Sequence, residues 1–140
     1  MPHETNEILE IRQWLTKAKH DWAVAKQIMG GGAVETDVAA FHCQQAVEKL
    51  LKAYLVSQRL PFEEVHDLRL LLNQCATSER DFDALRDAVE PLTLFAVAYR
   101  YPGPAEPTVT EVQRALAVVQ TVWTFVTRRL PKEATGDIGG

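Results

Sequence analysis

The feature that most restricts the fold is a helical period in the apolar residues, carried through nearly the whole chain. Ile8, Ile11, Leu15, Ala18, Trp22, Ala25 and Ile28 recur every three or four positions, which lays one apolar stripe along a first helix of about six turns. Gly30, Gly31 and Gly32 then stop it, because glycine readily enters the left-handed conformation that ends helices. Thr36 or Asp37 is placed to cap a second helix running to about Gln58, and Pro61 with the acidic pair after it marks a loop. His66 and Asp67 open a short helix with Leu68, Leu71 and Leu72 on its apolar side. A fourth helix, starting at Asp81 or Asp83, carries Leu85, Ala88, Val89, Leu92, Phe95 and Ala96. Pro91 lies inside that pattern and predicts a kink or break, since proline lacks an N–H and clashes with the preceding turn. Pro102 ends the segment at Tyr101, and a Pro/Gly loop follows. Thr108 with Glu111, or Thr110 with Gln113, offers a capping box for a last helix whose apolar side reads Val112, Ala115, Val119, Val122, Trp123 and Val126.

No segment reads as a strand, a repeat or a long linker. The expected fold is therefore all-α: an up-and-down antiparallel four-helix bundle with one additional short helix. It forms a single domain over residues 1–130, and the tail, Pro131–Gly140, lacks apolar periodicity and is expected to be mobile. With 15 Lys and Arg against 19 Asp and Glu, the net charge is -4, which argues against a generic phosphate-backbone binder but leaves room for a local basic patch. Two cysteines, Cys43 and Cys75, cannot build a disulfide scaffold or a four-cysteine zinc site. No apolar run approaches the ~18 residues of a membrane span. The opening residues MPHETNEILE lack the basic-then-apolar layout of an export signal. The expectation is a reduced, cytoplasmic protein.

The second helix holds the most chemistry. At about 100° per residue, His42, Gln45, Lys49 and Lys52 fall within an arc of about 80°. Ala39, Ala46, Leu50 and Ala53 lie on one side of that arc, and Phe41, Leu51 and Leu55 on the other. A narrow polar stripe between apolar flanks suits a helix packed on two sides, with polar groups meeting another element or lining a cleft. The plain account has Lys49 and Lys52 solvated and Gln45 bonded to a neighbouring helix; the sharper one makes the stripe an anion or nucleotide groove.

The run AFHCQQAVEKLLKAYLV, followed by His66-Asp67-Leu68 and by the corner Arg100-Tyr101-Pro102-Gly103, resembles the HEPN domain family over roughly Trp14 to Leu130. The resemblance implies a helical bundle that forms a homodimer with a cleft between subunits. It also implies a link to nucleotides or RNA and to toxin–antitoxin systems, in which a minimal nucleotidyltransferase is the partner. Many members are metal-independent ribonucleases, and that branch depends on an Arg followed, after four to six residues, by a His. Arg100 stands at the right corner, but the positions for the histidine hold Ala105, Glu106 and Pro107, none of which transfers protons as imidazole does near neutral pH. Arg59 and His66 are too far apart and straddle the Pro61 loop. The resemblance thus points to a nucleotide- or RNA-binding or toxin–antitoxin-associated module without the standard Arg–His site. The alternative is a metal-independent ribonuclease using Arg100 with His42 or His66.

The expected ligand contacts are His42, Gln45, Lys49, Lys52, Arg100 and Tyr101. Arg100 offers a planar fork for phosphate oxygens, and Tyr99 and Tyr101 beside it could stack on a base. Its plainer role is a salt bridge to Glu48, Glu90 or Asp67. No metal or cofactor is expected. His42 and Cys43 diverge by about 100° on a helix and cannot chelate together. The glycine run lacks the Gly-Lys-Ser/Thr ending of a P-loop. Ser57 and Ser78 sit near helix ends rather than on a strained turn, Cys43 reads as a small core residue, and Trp14, Trp22 and Trp123 read as core or interface anchors.

Overall fold

The computed structural model describes residues 2–32, 35–62, 66–103 and 105–136. Two long helices, α1 (Pro2–Gly30) and α2 (Thr36–Ser57), form a hairpin. Their pairing is antiparallel: Glu7 meets Arg59, Trp14 meets Lys52 and Asp21 meets Lys49, so one number climbs as the other falls. The glycine run ends α1 as its spacing requires. Gly31 N–H bonds back to the carbonyls of Gln27 and Ile28, and Gly32 takes φ 115°, a conformation that favours glycine.

Neither Thr36 nor Asp37 caps α2. Glu35 holds the cap position without a side-chain bond, Thr36 is already helical and buried, and Asp37 accepts the N–H of Val38 inside the first turn. The other end of α2 closes as a Schellman motif: Leu60 N–H reaches Leu55 O, Arg59 N–H reaches Val56 O, and Arg59 takes φ 55°.

Asp67 caps α3 (Leu68–Ser78) by accepting Arg69 N–H, and Leu68, Leu71, Leu72 and Cys75 are buried. The expected fourth helix is not one helix with a kink. It is a 3-10 stretch at Arg80–Leu85, a short α4 (Arg86–Val89), a second 3-10 stretch at Glu90–Leu94, and α5 (Phe95–Arg100). Pro91 lies in the first turn of the second 3-10 stretch, directly after Glu90. The spacing of the core residues gives the rest of the reason. Phe82, Leu85, Val89, Leu92 and Phe95 are all buried, and steps of mostly three residues keep facing one way only where the chain turns once every three.

The long α6 (Val109–Thr127) has the Thr108–Glu111 capping box, closed in both directions. All six residues assigned to its apolar side are buried. It packs on α1 and α2, with the Trp22 and Trp123 rings 5.8 Å apart and Phe82 seated between Tyr54 and Phe125. Within the tail expected to be mobile, Lys132–Thr135 form one more helical turn, α7. Ala134 is buried, and Arg12 donates to the Glu133 carbonyl. Residues 137–140 lie outside the described residues. The fold is all-α, with no strand among the described residues. Among the described residues no helix is long and apolar enough to cross a membrane.

Candidate functional site

The polar stripe of α2 is held by two carboxylates, and each takes one lysine and one histidine. Asp21 of α1 is the first. Its Oδ1 accepts from His42 Nδ1 at 2.8 Å, and its Oδ2 accepts from Lys49 Nζ. Glu48, on α2 itself, is the second. Lys52 Nζ reaches its Oε2 at 3.1 Å, and His66 Nδ1 lies 3.0 and 3.1 Å from its two oxygens. A carboxylate only accepts, so both imidazoles carry a proton on Nδ1 and turn Nε2 away from the acid.

The second group is the more deeply set. Glu48 and Lys52 are each only 3% exposed, and Trp14 and Phe62 lie 5.3 and 5.6 Å from the Lys52 ammonium. Such a pair is tolerable in the interior only because every charge has a partner. Gln45 adds a bond to Glu48 Oε1 and another to Gln44, and Gln44 in turn donates to the His66 carbonyl. The loop carrying His66 is thereby tied to α2 by both side chain and backbone. His66 itself stays 54% exposed.

The sequence expectation of solvated lysines therefore fails for both. Lys49 is paired and Lys52 is buried. Gln45 bonds within its own helix rather than to a neighbour. His42 and His66 belong to different carboxylates, so the stripe splits into two groups. Asp21 was missed, and Glu48 was considered only as a partner for Arg100. Glu48 left a signal in its i,i+4 spacing to Lys52. Asp21 left a fainter one: it stands three residues after Ala18 and four before Ala25, at the edge of the apolar stripe of α1.

Arg100 ends α5, exposed, with its guanidinium 5.8 Å from the Phe41 ring. The His42 ring also lies 5.6 Å from Phe41, edge to face. Arg100 and His42 thus both approach one aromatic ring, whereas His66 stands with Glu48. None of the carboxylates expected for Arg100 holds it. Glu48 serves Lys52 and His66, Glu90 serves Arg69, and Asp67 caps α3. Among the described residues Arg100 makes no ion pair. Tyr101 is 63% exposed beside it; the side chain of Tyr99 lies outside the described residues. Gly103 turns the chain away at φ 113°.

The hollows meet this stripe only at its edge, through Trp14, Phe62 and His66. Two open grooves of about 510 Å³ run along α1, one of them bordered by the end of α2. A smaller hollow of about 220 Å³ is lined by His66, Asp67, Leu68, Arg69, Thr93 and Leu94. On its rim, Arg69 bonds Glu90 and holds that carboxyl below its usual range. Cys43 and Cys75 are buried in the core, which pushes both thiols up to about 12. Among the described residues no group of three or more His, Cys, Asp or Glu side chains is arranged to hold a metal.

A match to the HEPN domain extends over residues 11–130. The chain belongs to the HEPN domain family. Among solved structures, TT1696 from Thermus thermophilus is 28% identical with a TM-score of 0.75, covering 86% of this chain and 98% of that one. ST0689, described as an archaeal HEPN homologue, is 19% identical with a TM-score of 0.65 over the same shares, a likeness of fold. No curated protein matches. The HEPN assignment spans the residues that build both carboxylate-centred groups and the Arg100 corner.

Proposed function

We propose that this HEPN domain works by binding a nucleotide or an RNA segment, with Arg100 as its principal phosphate contact and without the standard Arg–His ribonuclease site. The observation that carries this reading is the absence, among the described residues, of any carboxylate on Arg100, while Lys49 and Lys52 are each neutralised. A guanidinium that no described carboxylate engages, set near an aromatic ring, suits phosphate oxygens, and Tyr101 next to it offers a stacking face. His42, Gln45, Lys49 and Lys52 then shape the ground beside it rather than supply net charge. The domain acts as a homodimer, associated with a minimal nucleotidyltransferase in a toxin–antitoxin pair.

Fluorescence anisotropy with labelled single-stranded RNA and labelled ATP tests the binding, and light scattering tests the dimer. Arg100→Ala is expected to weaken binding about tenfold or more. Equal affinity in that variant overturns the assignment of Arg100. A second reading has one observation in its favour: Arg100 and His42 share the Phe41 ring, and Asp21 leaves His42 Nε2 free. That pair could act as phosphate clamp and general base on RNA. It predicts cleavage that persists in EDTA and disappears in His42→Ala; intact RNA with the wild-type protein refutes it.

A further inference from the structure

We infer that the hollow between the second 3-10 stretch and α6 is a binding site for a small apolar monocarboxylate, with the hydrocarbon part held by its walls and the carboxylate by Arg114. The site is separate from the Arg100 corner and stands whether or not the domain binds phosphate. Its volume is about 290 Å³, and six of its eight lining residues are apolar. They come from two runs with the same spacing. Ala88, Pro91, Leu92 and Phe95 line one side, and Glu111, Arg114, Ala115 and Val118 of α6 line the other. Steps of three, four and seven keep residues on one side of a helical segment, so two matching strips border one space. α6 packs mainly on α2 and α1, and the short side chains of Ala88 and Ala115 leave the gap between the strips unfilled.

The hollow is graded from floor to mouth. Leu92, Phe95 and Ala115 are buried, whereas Pro91, Glu111 and Arg114 are exposed. A ligand there meets hydrocarbon at depth and charge at the rim, the layout of sites for small amphipathic molecules. Glu111 Oε1 is turned back to accept Thr108 N–H at 2.8 Å in the capping box. It forms no ion pair with Arg114 three residues on, and neither does any other described carboxylate. Glu90, beside Pro91, is bonded to Arg69 instead. The planar fork of Arg114 therefore suits the two oxygens of an incoming carboxylate. Glu111 keeps its negative charge on the same rim, which disfavours a doubly charged group such as a phosphate and favours a monoanion. Size sets the rest. A cavity of about 150 Å³ holds benzene, so this one takes a single ring with a short acid arm.

The probe is hydrocinnamate, a phenyl ring on a short acid chain, titrated into the full chain near neutral pH and followed in amide-resolved NMR spectra. Its uncharged amide is the control. The acid is expected to bind with a Kd of about 1–5 mM, as its few heavy atoms allow, and to shift the resonances of Leu92, Phe95, Ala115 and Val118. The amide should bind about fivefold more weakly, the factor a charge-assisted bond supplies at an exposed mouth. Arg114→Gln should bring the acid down to the level of the amide and leave the amide unchanged, a split that a merely structural arginine does not produce. Ala88→Leu fills the hollow at a partly buried position and should abolish binding of both, with circular dichroism confirming the fold; if that variant unfolds, the Arg114→Gln comparison decides. No shifts at about 20 mM acid, shifts centred elsewhere, or equal binding of acid and amide overturns the inference. So does a second copy of the chain seated in the hollow, seen as intermolecular contacts to Leu92 and Val118 in mixed-label samples.

Discussion

Lys52→Met is the sharpest test of the buried network. Methionine nearly matches the lysine stem and stays apolar beside Trp14 and Phe62, so the substitution removes the charge and little of the packing. Glu48 is then a buried carboxylate left with hydrogen bonds from His66 and Gln45 only. Breaking a buried pair by taking away one partner costs about 3–5 kcal/mol, mostly as the desolvation of the charge left behind. For a domain of this size that corresponds to a fall in Tm of about 10–15 °C. Glu48→Gln combined with Lys52→Met removes the stranded charge, and the double variant should be more stable than Lys52→Met alone. Urea denaturation followed by circular dichroism measures both variants against wild type. A cost of Lys52→Met below about 1 kcal/mol, with no gain from the added Glu48→Gln, would place the pair in the surface class and refute the reasoning.

Three further outcomes follow from the fold. Arg59→Gly should raise stability by about 1 kcal/mol in urea titrations, because φ 55° at the Schellman position strains any residue with a Cβ and the Glu7 contact it gives up is an exposed one. A loss of stability would show that the Glu7 pair outweighs the strain. Thr108→Ala opens the capping box of α6 and should cost about 1 kcal/mol in the same assay, most of it regained by Thr108→Ser. Cys43 and Cys75, with thiols pushed up to about 12, should react with iodoacetamide near pH 8 about a thousandfold more slowly in the folded than in the urea-unfolded protein; fast labelling of the native chain would contradict their burial.

What the sequence made legible, and what it hid, divides along one physical line. A period of three to four apolar residues reports which way a single helix turns its face, and so the cores of α1 and α6 could be read residue by residue. Punctuation was legible for the same local reason: the glycines after α1, Asp67 before α3 and Thr108 before α6 act on their own neighbours. Pro91 announced a break, but its extent was set by core residues three apart, a spacing that a helical pattern and a 3-10 pattern share. The site was harder because its chemistry is a relation between elements. His42 and Lys49 look like free polar groups on α2 until α1 brings Asp21 against them, and the rotation of α1 about its own axis is not written in the spacing of α2. Lys52 illustrates the consequence most clearly. Its place on the stripe suggested a cation offered to a ligand, yet Glu48 one turn earlier and the Trp14–Phe62 pair draw it inside. Charge counted along a helix therefore overstates the charge a surface presents: of the three cations expected to meet a ligand, Lys49 and Lys52 are already neutralised by carboxylates of the fold.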